Sequence, residues 1–208
     1  MNISIFGSGY VGLVQAAIFA DVGHRVICMD VDADRVDRLR EGDIPFYEPG
    51  LSQLIHNGIG SGLLSFTTDA KEAVQASDHL FICVGTPAGN DGSADLSYVM
   101  QVADSIARYM TSRKVIITKS TVPVGTTDKV HRHILQALHK QGRSIAVEAA
   151  SNPEFLKEGS AVADCQSPDR IIIGTGSTRV LEELRRMYQA FNRNHEKIMH
   201  MDPRSAEM

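Results

Sequence analysis

Six residues near the amino terminus, Gly7-Ser8-Gly9-Tyr10-Val11-Gly12, have the types and spacing to hold a pyrophosphate. In such a G-x-G-x-x-G run the first glycine permits a tight turn, and the second lets backbone approach the phosphates. The third lets the following helix pack closely on the strand. A helix opening there turns unpaired N–H groups and its positive dipole end toward the anion. Asp30 lies eighteen residues past Gly12, near the ~20 expected of a carboxylate that holds an adenosine ribose. A carboxylate accepts from a free 2′-hydroxyl and repels a 2′-phosphate, so NAD is expected over NADP. Asp32 and Asp34 add to the repulsion, Arg35 works against it, and both acids serve equally well as helix N-caps. The glycine run alone is a weak signal. A strand before it, a helix after it and Asp30 make it a strong one.

Those residues need a scaffold, and the chain reads as strands alternating with helices throughout. Apolar runs at 3–6, 25–29, 63–66, 79–84, 114–119, 144–149 and 170–174 read as strands. Helices are expected at 10–22 and 34–40, at 51–55, and from 68–69 to 76. Further on, Leu96, Val99, Met100, Ala103, Ile106, Ala107 and Met110 recur at three and four residues and mark an amphipathic helix. Two more helices follow, striped by Val130, Ile134, Leu135 and Leu138, and by Val180, Leu184, Met187 and Phe191. Such alternation implies an α/β protein, a doubly wound, mainly parallel Rossmann-type sheet with helices on both faces. Ligands in that fold bind outside the carboxyl ends of the strands. The loops after residues 6, 29, 84, 119 and 149 are therefore the ones to search.

Those loops carry Tyr47-Glu48-Pro49-Gly50-Leu51, Val84-Gly85-Thr86-Pro87, Ala94-Asp95-Leu96-Ser97-Tyr98-Val99, Ser120-Thr121-Val122-Pro123-Val124-Gly125-Thr126, Ser151-Asn152-Pro153-Glu154-Phe155-Leu156-Lys157-Glu158-Gly159 and Pro168-Asp169-Arg170. Together, and across essentially the whole chain, they resemble the UDP-glucose/GDP-mannose dehydrogenase family, and in particular its UDP-glucose 6-dehydrogenase branch. The resemblance implies a double oxidation of a UDP-sugar at C6, with two NAD+ consumed and water releasing UDP-glucuronate, a polysaccharide precursor. A thiolate traps the intermediate aldehyde, because an aldehyde donates hydride poorly until a nucleophile makes it tetrahedral.

By matched position, Gly7, Gly9, Tyr10, Val11, Gly12, Asp30 and Arg35 line the adenosine and pyrophosphate. Thr86, Ser120 and Thr121 line the central cofactor region, and Glu158 the nicotinamide side. Glu154 is the implied general base, with Thr121 holding the attacking water. Phe155, Leu156 and Lys157 join Glu154 at the substrate. Plainer readings stand beside these: Thr86 as a turn cap, Glu154 and Glu158 as one face of a solvated helix, and the segment 47–51 as a loop and helix start without chemistry.

The family's nucleophilic cysteine belongs to a motif ending Cys-Phe-Pro-Lys-Asp, which is absent from these 208 residues. Cys165 falls at a variable, often apolar position of the family and is rejected as the nucleophile. Residues 1–208 are expected to be one NAD-binding domain, the front part of a longer enzyme, catalytically incomplete by itself. Its full-length form is expected to be a homodimer or higher. Other readings remain open: a GDP-mannose or UDP-N-acetylhexosamine dehydrogenase, or a dinucleotide-binding module without catalysis. A net charge of −4 gives no electrostatic reason to bind nucleic acid. No apolar run approaches the ~20 residues of a membrane span, and no export signal is recognisable, so a cytoplasmic protein without a membrane partner is expected. Cys28, Cys83 and Cys165 form no Cys-x-x-Cys pair, which argues against disulfides and zinc. No metal site is expected.

Overall fold

The apolar runs form a single eight-stranded sheet in a computed structural model that describes residues 1–89, 92–192 and 196–208. Part of the stretch between the Val84-Gly85-Thr86-Pro87 and Ala94-Asp95-Leu96-Ser97-Tyr98-Val99 motifs therefore lies outside the described residues. The elements follow as β1 (Asn2–Phe6), α1 (Tyr10–Asp21), β2 (Arg25–Met29), α2 (Ala33–Arg40), α3 (Leu51–Gly60), β3 (Leu64–Thr67), α4 (Ala70–Ala76) and β4 (His79–Ile82). Then come α5 (Ser97–Tyr109), β5 (Lys114–Thr118), α6 (Thr126–Lys140), β6 (Val147–Ser151), α7 (Ala161–Gln166), β7 (Ile171–Gly174), α8 (Thr178–Met187), β8 (Ile198–Met201) and α9 (Pro203–Ala206).

The strand order is β3-β2-β1-β4-β5-β6-β7-β8. This is the expected doubly wound arrangement, reversing direction beside β1. β4 and β5 are buried along their whole length and β1 along all but its first residue, as befits strands covered on both faces. Two apolar layers cover the sheet. One is built on α1, α3, α7 and α8 around Phe19, Phe81 and Leu184, the other on α4, α5 and α6 around Leu80, Ile106 and Ile134. α1 is buried from Gly12 through Ala20 without a break, because α3 and α7 close it off from solvent.

The structure departs from the sequence expectations in several places. β6 spans Val147–Ser151 rather than 144–149, because its ladder with β5 pairs Lys114 with Val147 and Thr118 with Ser151. β7 is antiparallel to β6, joined at Ser151–Gly174. A parallel return needs a crossover running back along the sheet, and the segment between them holds only the six-residue α7. α3 continues past residue 55 to Gly60. Gly58 is needed there, since a Cβ would stand 2.9 Å from Leu64 Cβ. α7, β8 and α9 were not anticipated: the two helices have only six and four residues, and Ile-Met-His-Met lacks any period and serves as a sheet edge. The carboxyl ends of β1, β2, β4, β5 and β6 open on one side of the sheet, and the start of β7 joins them.

Candidate functional site

The turn after β1 closes as three glycines dictate. Gly7 has φ +103°, and a Cβ there would lie 2.7 Å from the Cys83 carbonyl oxygen. A Cβ on Gly12 would meet the Gly7 carbonyl oxygen at 1.9 Å. Gly9 differs: a Cβ there would meet nothing within 4 Å. Gly9 is also the N-cap of α1, with no side-chain cap and no acidic residue in the first turn. The amino end of α1, with Tyr10 and Val11 half-buried in its first turn, thus presents bare backbone donors beside an open face. That is a cradle for an anion.

Asp30 follows β2 and faces this turn. It accepts from the Ser8 amide at 2.7 Å, the Ser8 hydroxyl at 2.6 Å and the Asp32 amide at 3.1 Å. Burial works against its charge, but the Ser8 donors, the Asp32 amide and Arg35 outweigh that and hold the carboxyl below its usual range. Arg35 lies 3.6 Å from Asp30 and 3.7 Å from Asp32, so its guanidinium is occupied by two carboxylates. Asp32 does cap α2, accepting from the Arg35 amide.

Hydroxyl groups join the loops after β4 and β5. Ser120 donates to the Val84 carbonyl at 2.7 Å, and Thr86 donates to the Thr121 carbonyl at 2.7 Å. The Thr121 side chain is exposed and has no partner among the described residues. α6 then starts from Gly125, at φ +92°. Its first turn is capped from far along the chain: Glu207 accepts from the Gly125 amide at 2.6 Å and the Thr127 amide at 2.7 Å.

The stretch 152–159 after β6 is not helical, so Glu154 and Glu158 do not share a helix face. Glu154 accepts from the Leu156 amide at 2.5 Å. Phe155 is half-exposed under the Arg170 guanidinium, 4.3 Å from its ring centroid. Leu156 packs on the core, while Lys157 and Glu158 point to solvent. No hydrogen bond joins Thr121 to Glu154 among the described residues; they sit at the ends of adjacent strands. Beneath this stretch is a cavity of about 440 Å3 lined by Lys119, Asn152, Glu154, Cys165 and Tyr188. Burial pushes the Lys119 ammonium down, and its Nζ lies 3.3 Å from Asn152 Oδ1, which the Tyr188 hydroxyl also reaches at 2.5 Å. Burial also pushes the Cys165 thiol up to about 11, although Lys119 pulls the other way. A thiol so protonated at neutral pH is a poor nucleophile.

Glu48 is the residue that sequence reasoning passed over. It is buried, accepts from the Tyr10 hydroxyl, and takes the Gly159 amide at 2.8 Å and the Val162 amide at 3.4 Å. Burial disfavours its charge, yet Tyr10 and these amides hold the carboxyl below its usual range. Burial and Glu48 together push the Tyr10 phenol up to about 12. Glu48 stands in the quoted Tyr-Glu-Pro-Gly-Leu motif, so a signal existed. Its partners, far apart in sequence, did not show.

Among the described residues no group of three His, Cys, Asp or Glu is placed to hold a metal ion, and no helix is long and apolar enough to cross a membrane. Residues 1–192 match the model of the UDP-glucose/GDP-mannose dehydrogenase family, NAD binding domain. The UDP-glucose 6-dehydrogenase of Pseudomonas aeruginosa is 46% identical over 207 residues, which cover all of this chain and 46% of that protein. That of Rhizobium meliloti is 44% identical, over all of this chain and 47% of its own length. The chain thus spans about half the length of the curated relatives it matches. The structure of a UDP-glucose dehydrogenase from Pyrobaculum islandicum superposes with a TM-score of 0.91 at 43% identity, covering 99% of this chain and 47% of that one. A ternary complex of Pseudomonas aeruginosa GDP-mannose dehydrogenase gives 0.92 at 36% identity, covering 100% and 48%.

Proposed function

Because the chain belongs to the UDP-glucose/GDP-mannose dehydrogenase family and carries its NAD-binding domain, we propose that it is the NAD-binding part of a UDP-glucose 6-dehydrogenase-like enzyme. That enzyme would convert UDP-glucose and two NAD+ to UDP-glucuronate. The observation that carries the reading is the open face at Gly9, set at the uncapped amino end of α1 with the anionic Asp30 one strand over. The carboxylate grips a ribose diol, the amides meet a pyrophosphate, and an Arg35 shared by two acids leaves little to offset their repulsion of a 2′-phosphate. NAD+, when bound, accepts the hydride.

The residues of this chain orient it. Ser120 and Thr86 hold the central loops together, and Glu158 lies toward the nicotinamide. On the substrate side, Phe155, Leu156 and Lys157 present backbone and side chain to the sugar. Glu154 takes a proton from a water held by the free Thr121 hydroxyl. The UDP-glucose branch is favoured over GDP-mannose by the 46% identity to a UDP-glucose 6-dehydrogenase.

Residues 1–208 hold no cysteine set for the aldehyde-trapping step, so this polypeptide is expected to bind NAD+ without oxidising UDP-glucose. Calorimetry on the chain should show NAD+ binding and much weaker NADP+ binding. Equal affinity for the two, or steady-state NADH formation from UDP-glucose that Glu154→Ala abolishes, would overturn the reading.

A further inference from the structure

Among the described residues Glu48 is a buried anion without an ion-pair partner. Its charge is balanced by hydrogen bonds from separate pieces of the site: the Tyr10 hydroxyl in the first turn of α1, the Gly159 amide near the end of the 152–160 segment, and the Val162 amide in the first turn of α7. The Tyr10 hydroxyl lies between those pieces, 3.2 Å from the Gly159 amide and 3.4 Å from the Lys157 carbonyl. Phe46, two residues before Glu48, packs on the Tyr10 ring with centroids 5.0 Å apart. A buried carboxylate stays charged only while its donors stay in place. If the 152–160 segment lifts, Glu48 loses the Gly159 amide and Tyr10 loses a neighbour. If the first turn of α1 shifts, Glu48 loses its phenol.

We propose that Glu48 is a positioning residue: with Tyr10 it locks the segment bearing Glu154 to the amino end of α1, so that NAD+ binding and docking of that segment reinforce each other. The idea rests on the cofactor assignment above for its second half only. The loop that faces the sugar is then set by the cofactor cradle, across a contact made by neither ligand. Coupling of this kind is reciprocal, so loosening the segment must weaken the cofactor by the same factor.

The test uses the intact chain and its Glu48→Gln, Tyr10→Phe and doubly substituted variants. Tyr10→Phe keeps the ring packing on Phe46 and guards against a Glu48 variant that fails to fold. Lys157 is exposed, so the rate of tryptic cleavage after it, followed by mass spectrometry, reports docking. In the unsubstituted protein NAD+ should slow that cleavage. Each single variant should cleave faster without NAD+, lose the NAD+ effect, and bind NAD+ about 5-fold or more weakly, at the low end of typical coupling. The double variant should be no worse than the single ones, since both break one contact. Full additivity in the double variant, or unchanged cleavage and NAD+ affinity in both single variants, would overturn the proposal. If the unsubstituted chain fails to bind NAD+, the cofactor assignment falls, while the NAD+-free cleavage rates still decide whether Glu48 docks the segment.

Discussion

At the scale of single residues, the glycines of the first turn separate fold from ligand binding. Gly12→Ala drives a methyl into the Gly7 carbonyl, and backbone cannot yield as a flexible side chain does. The expected loss is above the ~1–3 kcal/mol usual for overpacking, read as a drop in melting temperature. Gly9→Ala meets only open space, at φ −68° and ψ −173°, which alanine accepts. Its stability should stay within about 0.5 kcal/mol of the parent, while NAD+ binding, measured by calorimetry, falls sharply because the methyl stands where phosphate approaches. Undiminished binding would mean that the phosphates lie elsewhere. Asp30→Ala removes a charge-assisted hydrogen bond of about 1.5–3 kcal/mol. NAD+ should bind roughly 10- to 100-fold more weakly, and the margin over NADP+ should narrow. The turn and Asp30 were legible in the sequence because the motif is local and its spacing is set by one βαβ unit. Glu48 was not, because Tyr10 and Gly159 reach it from 38 and 111 residues away.

At the scale of elements, most strands and helices were legible because each is an apolar run or stripe bounded by glycine, proline or a capping acid. What escaped was decided by partners. The register of β6 follows β5, and the direction of β7 follows from the shortness of α7. α9 has four residues and owes its place to contacts made elsewhere. There, Arg204 pairs with Asp128 at 3.0 Å and Glu207 caps α6. A side-chain N-cap contributes about 1 kcal/mol, and this one reaches from the carboxyl-terminal residues to the helix that follows Thr121. Glu207→Ala should therefore lower stability by roughly that amount. The amide resonances of Gly125 and Thr127 should move more than those at the carboxyl end of α6. Shifts confined to α9 would show that the cap is not formed in solution.

For the molecule as a whole, the titrating groups set the pH range of stability. Burial holds His24 and His79 below the ordinary histidine range, despite Met187 and Glu183 acting the other way. Unfolding frees these rings to take protons, so stability should begin to fall as pH drops below the unperturbed value of about 6.5. Asp30, Glu48, Glu148 and Glu183 are all held below the usual carboxylate range against the cost of burial. Their contribution is present above about pH 4 and disappears as pH falls through their lower folded values. Denaturant midpoints measured from pH 8 to pH 3 should therefore decline in two stages, gently and then steeply. A flat profile from pH 7 to pH 5 would rule out the histidine part.

The unbroken burial of α1 from Gly12 to Ala20 has a dynamic counterpart. With sheet on one side and two helices on the other, none of the hydrogen-bonded amides from Leu13 to Ala20 can meet a deuteron through local fraying. They should exchange only when the entire domain opens, at the slowest rate in the protein. The donors at the front of that helix are consequently aimed before any ligand arrives, and little ordering entropy is left to lose on its arrival.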